Sequence, residues 1–138
     1  MMRASGIFEI TSWEEDTYEG SKGGRRLARA DVSQRFTGSI QGSGSTQWLM
    51  FYADDSTARF VGMQTIDGSL DGRRGSFVVE SLGEFDGARA SGRWSVVEGS
   101  GAGELAGIDG KGSFSAPLGS HARFELDYVL SQGSRLSV

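Results

Sequence analysis

Residues Arg123-Phe124-Glu125-Leu126-Asp127-Tyr128-Val129-Leu130 alternate polar and apolar side chains with a period of two. A β-strand sends successive side chains to opposite faces, so Phe124, Leu126, Tyr128 and Leu130 share a core face while Arg123, Glu125 and Asp127 meet water. The same period recurs toward the N-terminus. Phe8 and Ile10 oppose Glu9 and Thr11, and Ala28, Ala30, Val32 and Phe36 oppose Arg29, Asp31, Ser33 and Arg35. Residues 47–52, Gln-Trp-Leu-Met-Phe-Tyr, are apolar on both phases, which predicts one face on the core and the other on a subunit or covering segment. Residues 58–66, 76–82 and 90–97 add further strands, with short pieces near Glu104-Leu105 and at Phe114.

Composition agrees with a strand-and-turn protein. The 138 residues include 22 glycines and one proline, a load that would weaken helices at about 1 kcal/mol per glycine. Asp-Gly pairs at 67–68, 71–72, 86–87 and 109–110 carry the positive φ angles of tight hairpins. Ser12-Trp13-Glu14-Glu15 offers a capping serine and two carboxylates for a single helical turn. No linker divides the chain, so one domain is expected over residues 1–138. About eight short antiparallel strands in one small domain avoid exposed edges by closing on themselves. Glycines within strand runs, at 42, 62 and 92, suit the coiling that closure demands. The expected architecture is therefore all-β, a single closed antiparallel eight-stranded β-barrel with little helix.

Several chemistries are excluded by absence. Without cysteine there is no thiol nucleophile, disulfide or thiolate metal site, and one histidine, His121, cannot assemble the common metal ligand sets within one chain. No cofactor and no metal are expected. A net charge of −4 argues against nucleic acid as a partner, and no apolar run reaches the length of a membrane helix or a signal peptide, which predicts a cytoplasmic protein. The acidic residues Glu9, Glu14, Glu15, Asp16 and Glu19 precede the basic Lys22, Arg25, Arg26, Arg29 and Arg35. Adjacent antiparallel strands would pair these charges. Gly101-Ala102-Gly103-Glu104-Leu105-Ala106 fits a dinucleotide-binding pattern, but the glycines that follow preclude the helix such a site needs.

Polar residues in apolar phases are candidates for function, because burial without a partner costs free energy. Glu80, between Val78 and Leu82, is the sharpest. Directed inward it would be a desolvated general acid or base, whereas the opposite phase, with Phe77, Val79 and Ser81 inward, leaves it solvated. Tyr52, Gln34 and Gln64 are candidates for orienting a ligand. Trp13, Trp48, Trp94, Met50, Phe60 and Met63 supply the apolar lining that a pocket needs, or a packed core. His121 reads as a surface histidine.

Ser12-Trp13-Glu14-Glu15 with Tyr18, Tyr52-Ala53-Asp54 before Phe60-Val61-Gly62, Gly75-Ser76-Phe77-Val78, the Gly99–Gly107 segment and Leu126-Asp127-Tyr128 together resemble the bacterial family of unknown function DUF3224. The resemblance runs over nearly the whole chain. It implies an eight-stranded barrel of the allene oxide cyclase type, lipocalin-like in general form, a fold in which plant cyclases fold a reactive lipid. Where many members have Gln-His this chain has Glu80-Ser81, and Glu98 stands where a proline usually precedes the glycine segment.

The leading expectation is a barrel that binds a small apolar or amphipathic ligand. A cyclase- or isomerase-type reaction would use Glu80 and Tyr52 for proton handling. The alternatives are a carboxylate-dependent hydrolase pairing Glu80 with Glu9 or Glu104, and a filled, non-catalytic module that forms a homo-oligomer through the outer strand around Leu49 and Phe51.

Overall fold

The computed structural model of the protein describes residues 1–131. Nine strands follow in order: β1 (Met2–Gly20), β2 (Arg26–Gly38), β3 (Ile40–Asp54), β4 (Thr57–Leu70), β5 (Arg73–Phe85), β6 (Arg89–Val96), β7 (Ala102–Gly103), β8 (Ile108–Pro117) and β9 (Ala122–Leu130). Eight of them form one antiparallel ring, β4-β3-β2-β1-β9-β8-β6-β5, which the β4–β5 pairing completes; β7 attaches separately to β5. The all-β expectation is met, and no helix occurs among the described residues.

The ring is a closed barrel only approximately. β1 pairs with β9 over Met2–Phe8 alone, whereas its pairing with β2 continues to Gly20. Beyond Phe8, β1 therefore has a neighbour on one side only, and the wall is split between it and the β8–β9 turn. This split positions the candidate site.

Inward residues follow the alternation that marks the strands. Ala28, Ala30, Val32 and Phe36 on β2, and Phe124, Leu126 and Tyr128 on β9, are all buried. The middle of the ring is filled by aromatic rings: Trp94 lies between 5.7 and 6.3 Å, centroid to centroid, from Phe8, Phe36, Phe114 and Phe124. Leu105, in the turn after β7, is buried although the short strand expected around it lies instead at Ala102–Gly103. Glycines make room for rings across the strands. A Cβ on Gly62 would lie 2.5 Å from the Trp48 ring, and one on Gly92 2.5 Å from that of Phe114.

Three local expectations are corrected. Residues 12–15 continue β1, with Trp13 opposite Val32 and Glu15 opposite Ala30, because a capping serine alone does not offset the cost of nucleating a helix against a ready strand partner. Of the Asp-Gly pairs, 71–72 and 86–87 make turns, while 67–68 and 109–110 lie within β4 and β8. The charged strand pairing is partial: Glu9 faces Arg35 and Asp16 faces Arg29, but Glu14 faces Asp31. Among the described residues the ion pairs are Arg3 with Asp127 and Glu125, and Arg26 with Asp55 at 2.8 Å.

Candidate functional site

A slot of about 160 Å³ enters the ring at the split in its wall. Its walls are the rings of Trp48, Phe60 and Phe114 with Met50, and Ile10, Trp13, Ser120 and His121 stand at its open end. Trp48 and Phe60 meet edge to face, 4.7 Å apart at 70°. The buried end carries two carboxamides, Gln34 on β2 and Gln64 on β4. Gly44, between them on β3, makes this possible: a Cβ there would lie 2.6 Å from Gln34 Oε1 and 3.3 Å from Gln64 Nε2.

Gln34 Nε2 donates to Thr46 Oγ1 at 2.8 Å, which fixes the amide plane. Gln34 Oε1 is buried and has no partner. Among the described residues two other buried polar atoms share that condition, Ser81 Oγ and Trp94 Nε1, but neither residue lines the slot. An unpaired buried acceptor costs about 1–3 kcal/mol, and a ligand donor delivered to it recovers that cost.

Polar contacts fix the rim. Trp13 Nε1 donates to Glu15 Oε1 at 2.9 Å, and the Tyr52 hydroxyl donates to the same oxygen at 3.2 Å. The Arg26 guanidinium lies 3.8 Å above the Tyr52 ring while its Nη1 holds Asp55. Burial, then the Glu15 hydrogen bond, pushes the Tyr52 phenol up to about 12. Tyr52 is therefore a neutral hydrogen-bond donor at pH 7, and it positions the Trp13 rim through Glu15.

Trp13, Gln34, Trp48, Met50, Phe60 and Gln64 are thus brought together on one slot. Trp94 and Met63 are not among its lining residues, Trp94 being sealed in the aromatic cluster and Met63 exposed on the outer face of β4. Tyr52 does not line the slot, and its hydroxyl reaches toward it through contacts with Glu15 and Met50. Glu80 is placed outside the ring. β5 directs Phe77, Val79 and Ser81 inward, and Ser81 faces Gly62 on one side and Trp94 on the other. A hydroxyl costs less to bury than a carboxylate, and only a small side chain fits beside the Trp94 indole. Glu80 consequently cannot share a substrate in the slot with Tyr52. The carboxylates suggested for hydrolysis do not converge either: Glu9 and Glu80 are exposed, and Glu104 accepts from the Arg74 backbone amide at 3.0 Å. Among the described residues no three His, Cys, Asp or Glu side chains cluster to hold a metal ion, and no helix is long and apolar enough to cross a membrane.

The sequence signals missed Phe114, Ser120 and His121. His121 is exposed, as expected, yet the β8–β9 turn carries it to the slot entrance.

The profile described as "Protein of unknown function (DUF3224)" matches residues 4–128. The chain belongs to the DUF3224 family. This DUF3224 chain is also similar to a crystal structure, at 1.84 Å, of a protein of unknown function from the DUF3224 family of Shewanella oneidensis MR-1. The two are 27% identical, the match covers 95% of this chain and 98% of that one, and the TM-score is 0.78. No curated protein matches the chain.

Proposed function

We propose that this DUF3224 protein binds a small amphipathic organic molecule, about the size of one substituted ring, with its apolar body between Trp48, Phe60 and Phe114 and a hydrogen-bond donor on Gln34 Oε1. The unpaired buried acceptor at the deep end of an aromatic slot is the observation that carries this reading. Size supports it. The 160 Å³ slot is close to the apolar cavity of about 150 Å³ that admits benzene, and is smaller than the usual range of about 300–1,000 Å³ for drug-sized ligands. A cyclase- or isomerase-type reaction in the slot would be guided by its shape alone, since neither Tyr52 nor Glu80 lines it.

Phenol and benzene are suitable probes, titrated into the protein while the backbone amides of the slot residues are followed by NMR. Phenol is expected to bind about tenfold more tightly than benzene, the factor that about 1.4 kcal/mol of recovered hydrogen bonding supplies. Gln34→Met should remove that preference while keeping benzene binding, and Glu80→Gln should change neither. Absence of saturable shifts at Trp48 and Phe60 with both probes sinks the proposal and leaves the filled, non-catalytic module in its place.

A further inference from the structure

The outer face of β3, β4 and β5 carries a pattern that the slot does not use. Strand register sets Arg29, Leu49, Val61, Leu82 and Arg93 side by side in one row across five strands. The next row outward-facing along the strands is Asp31, Gln47, Met63 and Glu80. Leu49 is 53% exposed and Met63 51%, with Val61 and Leu82 close behind. Four large apolar side chains therefore form one continuous solvent-facing patch, and a groove runs between the two rows. Monomeric domains seldom present such a patch without a use for it. None of Arg29, Asp31, Glu80 and Arg93 takes part in an ion pair among the described residues.

We infer that this face docks a second copy of the same chain about a two-fold axis lying in the groove, across the strands, between Val61 and Met63. A two-fold contact must be complementary to itself, so each residue meets the residue that the axis exchanges it with. Turning one copy over about this axis exchanges the rows. Val61 then meets the second copy's Met63, Leu49 lies against Gln47, and Leu82 lies against Glu80. At the β2 end Arg29 meets the second copy's Asp31, and at the β5 end Glu80 comes within reach of the second copy's Arg93. Each of these ion pairs is made twice, and within β2–β6 no like charges are opposed; on β1, at the edge of the face, the same rows carry Asp16 and Glu14, which the axis sets against each other. An axis along β4 would instead set Arg29 against Arg93. Over β2–β6 the charge pattern thus matches its own rotated image, which points to a second copy as the occupant. Strands of the two facing sheets run aligned under this operation, the usual arrangement for stacked sheets.

The native mass of the protein near 50 µM, by sedimentation equilibrium or native mass spectrometry, is expected to be twice the 14.7 kDa chain mass. Val61→Glu should yield a monomer with an unchanged far-UV circular dichroism spectrum, because the side chain it replaces lies on the surface. Arg29→Asp and Asp31→Arg, each alone, should weaken the dimer, since each opposes like charges across the axis. Mixed together, the two variants should associate with each other in preference to themselves, and the double variant Arg29→Asp/Asp31→Arg should dimerise again. A monomeric wild-type protein at this concentration overturns the inference, as does a dimer whose mass Val61→Glu leaves unchanged. Statistical mixing of the two charge variants overturns the axis.

Discussion

Trp94→Ala is expected to lower the unfolding free energy by about 3–5 kcal/mol, and Trp94→Phe by less than about 1.5 kcal/mol. The indole is 1% exposed and packs against four aromatic rings, so its removal leaves a cavity in the aromatic centre of the ring. Its strand neighbours are Ser81 and Gly112, too small to collapse into the space. Phenylalanine keeps one ring on the same contacts. It also deletes Trp94 Nε1, a buried donor without a partner, so the packing lost with the five-membered ring is partly offset. Total stability in domains of this size is about 5–15 kcal/mol, so the alanine variant loses a large fraction of it. Urea unfolding followed by far-UV circular dichroism checks both values. Equal losses in the two variants would show that the indole nitrogen makes a contact that its geometry does not provide.

Which strands exist was legible because alternation is a local property. Residues 123–130 and 28–36 declare their buried faces by themselves, and both faces are as expected. β5 does not. Val78-Val79-Glu80-Ser81-Leu82 has apolar residues on both phases, and the side facing the core is decided by Trp94 and Gly62 across the sheet, a register that no local pattern contains. The relative cost of burying a carboxylate and a hydroxyl pointed the right way, against the apolar pull of Leu82. Leu82 is instead exposed, on the patch assigned to the second copy.

The slot was legible by residue type more than by position. Large aromatics and isolated glutamines in apolar phases pointed to Trp48, Phe60, Gln34 and Gln64. The split in the wall could not be foreseen, since it arises where β1 outruns β9. That difference in strand length brings Trp13 opposite Ser120 and His121, residues more than a hundred positions away in the chain. Gly44 likewise reads only as a strand glycine until register sets it opposite Gln34 and the Gln64 carboxamide is seen to reach over it.

Stability is expected to fall as pH rises from about 10 to about 12, with Tyr128 a principal cause. Tyr128 is 1% exposed, and its hydroxyl donates to Asp71 Oδ2 at 2.5 Å. Burial, then the hydrogen bond to Asp71, pushes its phenol up to about 12. An unfolded tyrosine titrates near 10, so the folded state holds the proton more tightly. That contribution is complete below about pH 10 and is lost as pH rises through the folded value. The contact matters because of where it lies. Asp71 occupies the turn between β4 and β5, the pair that completes the ring, at φ 49°, and its amide donates to Ser39 O at 2.8 Å. Tyr128, reaching from β9, ties that turn to the opposite wall, and its ionisation would set a phenolate against the Asp71 carboxylate. Tyr128→Phe is expected to cost about 1–3 kcal/mol at pH 7 and to flatten the decline above pH 10. Tyr52 is raised to about 12 by burial and Glu15, so Tyr52→Phe should flatten the remainder. Urea midpoints measured at pH 7 and from pH 9 to 12 separate the contributions. A decline in Tyr128→Phe as steep as in the wild type would remove Tyr128 from the account and leave the closure of the ring dependent on the β4–β5 backbone pairing alone.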